Sequence, residues 1–523
     1  MDVILKSKYT LLLAGSLLFN YLFYNEGHGI NILLFTFFIL FVIFFTESKT
    51  SFNSISIIIL SGFSLTSCAI ANHGSIFAIF MYYISFILLI GYLHEKKLKS
   101  LVYIVLASIL SLIQFSGIFF QNMPLMKDNR KKVTKAFRVI KLSLIPLFLL
   151  FVFYIIFINA NPVFEKLANH TIDSIMKQLL PIFQAISIQR ILFFIVGIAV
   201  NAWFLFKTDL GSLVLAEAKR KENLIRQRIV KLTANREYFN NLKEKSPEFY
   251  RNKFRLSLRL KNEFVSAMVL LILVNMLLFI VNVIDINWVW FGFKYSESFD
   301  LKQFVHEGTY LLINSILLSI SIMLYFFRRN LNFYSKAKWI KQLSYIWIVQ
   351  NIILTISVAI RNFHYITYWG LAYKRIGVIL FLIAVSYGLL CLFIKILYNK
   401  TSFFLVKRNS LAIYIVLFMA SLINWDGVIA KHNLNHPISN HMETCYLLSL
   451  SDKILPLIDQ KKSILDQSLQ YNTYIDYSPY SYKDYYQLRV KLFTGKFRKH
   501  TWLSWNYKDW QANEYYTKTN NNR

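Results

Sequence analysis

The fold class predicted here is all-α: a polytopic transmembrane helical bundle of about 12 helices with a small, mostly helical, aromatic-rich C-terminal tail outside the membrane. Three observations predict it. Hydrophobic residues fill 56% of the 523 positions and charged residues only 16%, too apolar a balance for a water-soluble chain of this length. The apolar residues fall in runs close to the roughly 20 residues that cross a hydrocarbon core. Lysine and arginine collect between alternate runs, as they do in cytoplasmic loops. With 47 Phe and 32 Tyr against 16 Gly and 8 Pro, collagen-like and disordered classes are excluded. Cys68, Cys391 and Cys445 are too scattered for a disulfide framework.

The first run, 9–24, follows Lys6 and Lys8 and has no small-x-small cleavage site after it, so an uncleaved anchor is expected. Further runs lie at 30–45, 52–71, 75–93, 101–120, 142–160, 190–206, 264–284, 310–327, 343–360, 376–397 and 410–424. They divide the chain into N-terminal spans (1–120), middle spans with an interfacial segment (121–206), a basic cytoplasmic helical loop (207–262), C-terminal spans (263–424) and a tail (425–523).

Charge sets the orientation. The loops 121–141, 207–262, 328–342 and 398–409 hold 7, 15, 5 and 3 Lys/Arg, whereas 161–190, 285–309 and 361–375 hold 3, 2 and 3. The first set is therefore cytoplasmic, and the tail lies outside the inner membrane of a bacterium. The net charge of +31 reflects this asymmetry, so no nucleic-acid partner is expected. Lys6, Lys8 and HEKKLKS at 94–100 also read as cytoplasmic, which a single span at 101–120 does not reconcile with a cytoplasmic 121–141. A re-entrant or interfacial segment, or an outer amino terminus, would resolve it.

Residues 207–262 read as a long helix, with Ile225, Ile229, Leu232, Phe239 and Leu242 at helical spacing beneath a basic face that suits the anionic inner leaflet as well as a solvated linker. Residues 161–189 read as an interfacial helix. The tail holds 13 Lys/Arg against 9 Asp/Glu, with a helical pattern at 444–458 and a Tyr/Trp-rich stretch from Tyr471 to Tyr516.

No carboxylate is expected in mid-span, since Glu26, Glu47, Glu263, Asp285, Glu307 and Asp426 all fall at or beyond span ends, and this weighs against proton-coupled transport. The mid-span polar residues Gln114, Asn201, Asn275, Asn314, Gln350 and Asn351 are expected to bond between helices. His306 and Glu307 (FVHEG), Arg361, Tyr365 and Arg375 (RNFHYITYWGLAYKR) and Asp426 would share the outer face. Arginine forks there suit an anionic headgroup, phosphate or carboxylate, although pairing among themselves to pin helix ends is the competing expectation. His432, His436, His441, Glu443 and Cys445 match no closed metal site, and Pro437 breaks any helix that would align the first pair. Phosphate loops and hydrolase or kinase motifs are absent, so no cofactor is expected.

The stretches FVHEGTYLLINSILL (304–318), RNFHYITYWGLAYKRIG (361–377), NWDGVIAKHN (424–433), YLLSLSDKILP (446–456) and WLSWNYKDWQA (502–512) resemble a bacterial membrane-protein family, domain of unknown function 4173, related to the 4153 group. NANPVF at 159–164 resembles its shorter motif. The resemblance points to Glu307, Gly308, Arg361, Tyr365, Gly370, Arg375, Asn424, Asp426 and Asn433, while Trp425 and Ala372 depart from the Pro and Thr of its pattern. It implies architecture and no reaction.

The function expected is a non-catalytic binding or signalling module facing outward, whose partners are membrane lipids and an anionic envelope ligand. A membrane-embedded enzyme or transporter for a lipid-linked substrate, with His306 and Glu307 as acid and base, is the alternative.

Overall fold

The computed structural model describes residues 2–46, 53–122, 187–225, 247–292, 301–327, 330–435, 444–461 and 482–521, with scattered residues between 142 and 166. Among them the regular structure is helical, apart from a lone bridge between Asn223 and Lys400. Seven described helices are long and apolar enough to cross a membrane, and Ile30–Thr46, Leu101–Gln114 and Ile313–Phe326 are shorter apolar helices. This is a multi-pass helical membrane protein. The run at 142–160 and the segment 161–189 lie almost wholly outside the described residues.

The chain divides into two compact units. The first comprises Met1–Lys99, Tyr103–Leu215 and Lys496–Trp510. Its helices are α1 (Asp2–Phe23), α2 (Ile30–Thr46), α3 (Ser54–His73), α4 (Ile76–His94), α5 (Leu101–Asn122) and α6 (Ile188–Leu205). Consecutive helices α1 to α4 pack on their neighbours, and α6 returns along α1. The turn from α3 to α4 is made by Gly74, at φ +49°, whose N–H returns to the Ile70 carbonyl at 2.9 Å. Ser75 then caps α4, its hydroxyl accepting from the Ala78 N–H.

Each end of this unit has a lock. At one end buried His94 accepts the Thr208 N–H on Nδ1 (3.0 Å), which leaves Nε2–H to donate to the Trp203 carbonyl (2.9 Å). Tyr9 meets the Phe206 ring there, so the start of α1, the end of α4 at His94 and residues 206–208 share an end. Residues 123–141, the other side of the charge conflict, lie outside the described residues. At the opposite end the 3₁₀ turn Trp502–Ser504 docks on the α1–α2 loop. Ile30 N–H donates to the Trp505 carbonyl at 2.9 Å, and Gly27 N–H donates to the Ser504 hydroxyl, which itself donates to Glu26 at 2.5 Å.

The second unit comprises Ser100–Val102, Ala216–Gly495 and Gln511–Arg523. The expectation of one helix through 207–262 is corrected: α7 (Gly211–Ala218) stops, and 221–225 turns antiparallel to 399–401. Leu224 N–H donates to the Asn399 carbonyl and Thr401 N–H to the Glu222 carbonyl, both at 2.9 Å. These partners satisfy the backbone that a helix would otherwise have satisfied, overriding the local pattern. Helix resumes as α8 (Pro247–Asp285), extended by a π-helical turn, Ile286–Phe291. It is followed by α9 (Leu301–Phe326), α10 (Ala337–Trp369), α11 (Tyr373–Leu397) and α12 (Ser402–Ser421).

Helix α10 is the axis of this unit, packing on α8, α9 and α11. Half of its apolar window is buried, against 22% for α8, whose outer face of Leu273, Met276, Leu277 and Ile280 is left for lipid. The core joins Leu271, Ile316, Met323, Trp347, Leu354, Leu389 and Phe404. Amides bind α8 to α10 in parallel. Asn275 donates to the Leu343 carbonyl (3.1 Å) and accepts from Gln350 (3.0 Å), and Asn282 donates to the Gln350 carbonyl (3.1 Å). The interhelical role expected for Asn275 and Gln350 is met, because in hydrocarbon an amide finds protein partners or none. Asn201 instead donates to Gly197 of its own helix.

The tail contributes α13 (Trp425–Asn435), α14 (Thr444–Ser449), α15 (Leu455–Asp459), α16 (Tyr482–Lys499) and α17 (Tyr507–Asn521). The helical pattern over 444–458 is broken at 450–451, with Pro456 in the first turn of α15. Asp459 accepts from Tyr486 (3.0 Å) and Tyr515 (2.7 Å), and Tyr486 bonds Tyr516 at 2.8 Å. Burial first, and then the hydrogen bond and charge of Tyr486, push the Tyr516 hydroxyl above its usual value.

A methyl group on Gly29 would run into the backbone of Ser504 and Trp505. Gly29→Ala is therefore expected to release the Trp502–Ser504 turn at a cost of roughly 2 kcal/mol, two hydrogen bonds' worth, seen as faster amide exchange at 502–506. Gly377→Ala, where an added methyl meets nothing within 4 Å, should leave that exchange unchanged.

Candidate functional site

Of the residues that the motifs single out, Arg361, Tyr365, Gly370, Arg375, Asp426 and Asn433 lie at or near the end of the second unit where α10 turns into α11. Arg361 and Asp285 form an ion pair with 9% and 4% of their side chains exposed, a degree of burial at which pairing is obligatory. Both lie inside continuous helix, since the candidate spans run Leu260–Phe291 and Ala337–Trp369. The expectation of no carboxylate within a span is corrected accordingly. The apolar run stops at 284 in sequence, but its helix continues as a π turn whose side chains are again apolar. Asp285 Oδ2 has no hydrogen-bond partner among the described residues. Above the pair, Trp290 donates from its indole to Ser357 at 2.9 Å, and His364 Nε2 lies 3.2 Å from the Val289 carbonyl.

One turn further on, Arg375 reaches back from α11. Its guanidinium lies 4.1 Å from the centre of the Tyr365 ring, a cation–π contact, and donates to the carbonyls of Trp369 and Gly370, the orphaned end of α10. Asn362 donates to the Arg375 carbonyl at 3.1 Å. The turn requires glycine at 370, where φ is +78° and a Cβ would come within 2.7 Å of Asn433. Asn433 reads the next residue in both directions, accepting the Leu371 N–H at 2.7 Å and donating to its carbonyl at 2.9 Å.

Asp426 accepts from the Tyr373 hydroxyl at 2.8 Å, and Tyr373 N–H donates to the Tyr446 hydroxyl at 3.0 Å. Asn424 caps α13 by accepting the Gly427 N–H. Tyr365 and Arg375 thus touch directly, Asp426 is bonded to Tyr373 at the start of α11, and Arg361 is turned to Asp285. His306 and Glu307 belong to α9, but their side chains lie outside the described residues. So do those of His436, His441, Glu443 and Cys445; among the described residues no group of three potential metal ligands occurs.

Sequence reasoning missed Asp285 as a partner, and Tyr373 and Tyr446 as couplers. The signal for Asp285 was present as an acid followed by another apolar run, INWVWF.

Residues 32–461 match the family described as Domain of unknown function (DUF4153). The chain belongs to this family. The resemblance to the neighbouring 4173 group is thereby corrected to the 4153 group. No curated protein and no solved structure matches the chain.

Removing one partner of a buried pair strands the other charge, at a cost of about 3–5 kcal/mol. Arg361→Gln should therefore deplete the protein from membranes and lower its unfolding midpoint. Combining it with Asp285→Asn should restore most of the loss, which quantitative immunoblotting and thermal unfolding in detergent would read.

Proposed function

We propose that this protein is a non-catalytic binding or signalling module of the bacterial inner membrane that meets an anionic envelope ligand or lipid headgroup at the α10–α11 turn. The observation that carries this reading is Arg375, half-buried, held against Tyr365 and next in sequence to exposed Lys374, with Asp426 engaged by Tyr373. A guanidinium fixed in this way is ready to add an oxyanion on its remaining N–H groups without losing much side-chain freedom. Arg361 takes the role of a positioning residue, since its charge is matched by Asp285.

Charge supports the orientation. In the second unit Lys219, Arg220, Lys221, Lys336, Lys338, Lys341, Lys400, Lys407 and Arg408 cluster at the end opposite the α10–α11 turn. Basic loops stay in the cytoplasm, so the turn and the tail face the envelope.

The test uses the purified full-length protein in uncharged detergent, with glycerol phosphate as the probe. Glycerol phosphate should raise the unfolding midpoint of the native protein and of Arg375→Lys, and should leave that of Arg375→Gln unmoved while membrane abundance stays normal. Equal stabilisation of all three proteins, or of none, would remove the reading.

A further inference from the structure

A second cationic site lies at the opposite end of this unit, where α11 gives way to α12. Lys407 Nζ bonds Glu222 Oε1 at 2.5 Å. Lys400 and Arg408 lie over the Phe404 ring, at 5.9 and 5.8 Å from its centre. Two cations thus pack against one ring, and with Lys407 both act electrostatically on Glu222. Glu222 is brought to them by the 221–225 segment, which is fastened by the Leu224–Asn399 and Thr401–Glu222 backbone bonds. It is fastened again by Thr401 donating to the Lys221 carbonyl (2.8 Å) and by Lys400 donating to Asn223 (2.6 Å). The Lys407 hydrogen bond, with the charges of Lys407, Arg408 and Lys400 behind it, holds the Glu222 carboxyl below its usual range. One carboxylate thus faces three cations, and two positive charges are left over.

The position of this surplus names what it would take. Lys400 lies just beyond the last turn of α11, and Lys407 and Arg408 lie in the opening turns of α12, both helices being candidate spans. Leu397 and Tyr398 beside them are exposed, an apolar and an aromatic side chain of the kind found at the headgroup level. Cations at that depth meet lipid phosphates before they meet solutes.

We propose that Lys400, Lys407 and Arg408 form a binding site for the phosphodiester headgroup of an anionic phospholipid, with Glu222 as an internal competitor for the same cations. The site is separate from the α10–α11 turn and does not depend on the function proposed for it. Because Glu222 and the lipid compete, removing the carboxylate tightens lipid binding and removing a cation weakens it.

The full-length protein in nanodiscs of phosphatidylglycerol and phosphatidylcholine would be released gently and its retained lipids weighed by native mass spectrometry. Glu222→Gln should retain phosphatidylglycerol about fivefold more strongly than the native protein, and Arg408→Gln about fivefold less, the ratio matching roughly 1 kcal/mol for one basic residue at an anionic surface. Retention that is the same in both variants and the native protein would overturn the site. If Arg408→Gln does not accumulate, Glu222→Gln decides alone, since its retention either rises or the competition is refuted. In pure phosphatidylcholine discs, inorganic phosphate should give no stabilisation; if it stabilises as much as phosphatidylglycerol does, the site takes free phosphate and the lipid assignment falls.

Discussion

The Asp285–Arg361 ion pair is the interaction on which the second unit depends. Hydrocarbon offers no water to a stranded charge, so each partner fixes the other, and together they lock α8 and α10 in one parallel register. The amides of Asn275, Asn282 and Gln350 hold the same register lower in the bundle. Each of those is a neutral bond of modest strength, whereas a broken ion pair leaves a whole buried charge. The register in turn sets the π turn against α10, through Trp290 to Ser357 and Val289 to His364.

From that level the unit is built outward by closing orphaned backbone groups. The end of α10 leaves carbonyls that Arg375 covers, and the positive-φ turn at Gly370 leaves Leu371 to be read by Asn433. Tyr373 then joins the hairpin to Asp426 and Tyr446. The α10–α11 hairpin is thus held by several separate contacts, and a ligand at Arg375 would act on a braced turn.

Much of this was legible in the sequence. Hydropathy located the helices because length and apolarity are what a bilayer selects, and Asn275 and Gln350 stood out as neutral polar residues in mid-span. Arg361, Tyr365, Arg375 and Asp426 drew attention as a group; Tyr365 touches Arg375, whereas Asp426 bonds Tyr373 and Arg361 pairs with Asp285. The rest was hidden for physical reasons. Asp285 looked like a span end because hydropathy rules measure runs and a π turn simply continues one. Lys395, fully buried inside the run 376–397 and donating to the Phe327 carbonyl at 2.6 Å, finds a partner that no local pattern announces. The break after Ala218 comes from pairing with a loop some 180 residues away, and the docking of Ser504 on Gly27 spans 477 positions, contacts that leave no local periodicity. Tyr373 and Tyr446 are two among 32 tyrosines, and only geometry distinguishes them.

Orientation is the claim that joins the ion pair, the arginine turn and the lysine-rich end into a single account, and a dual reporter fused after Asn521 tests it directly. Phosphatase activity without fluorescence is expected, placing the tail and the Arg375 turn in the envelope. Fluorescence without phosphatase activity would put that turn in the cytoplasm and contradict an envelope ligand at Arg375.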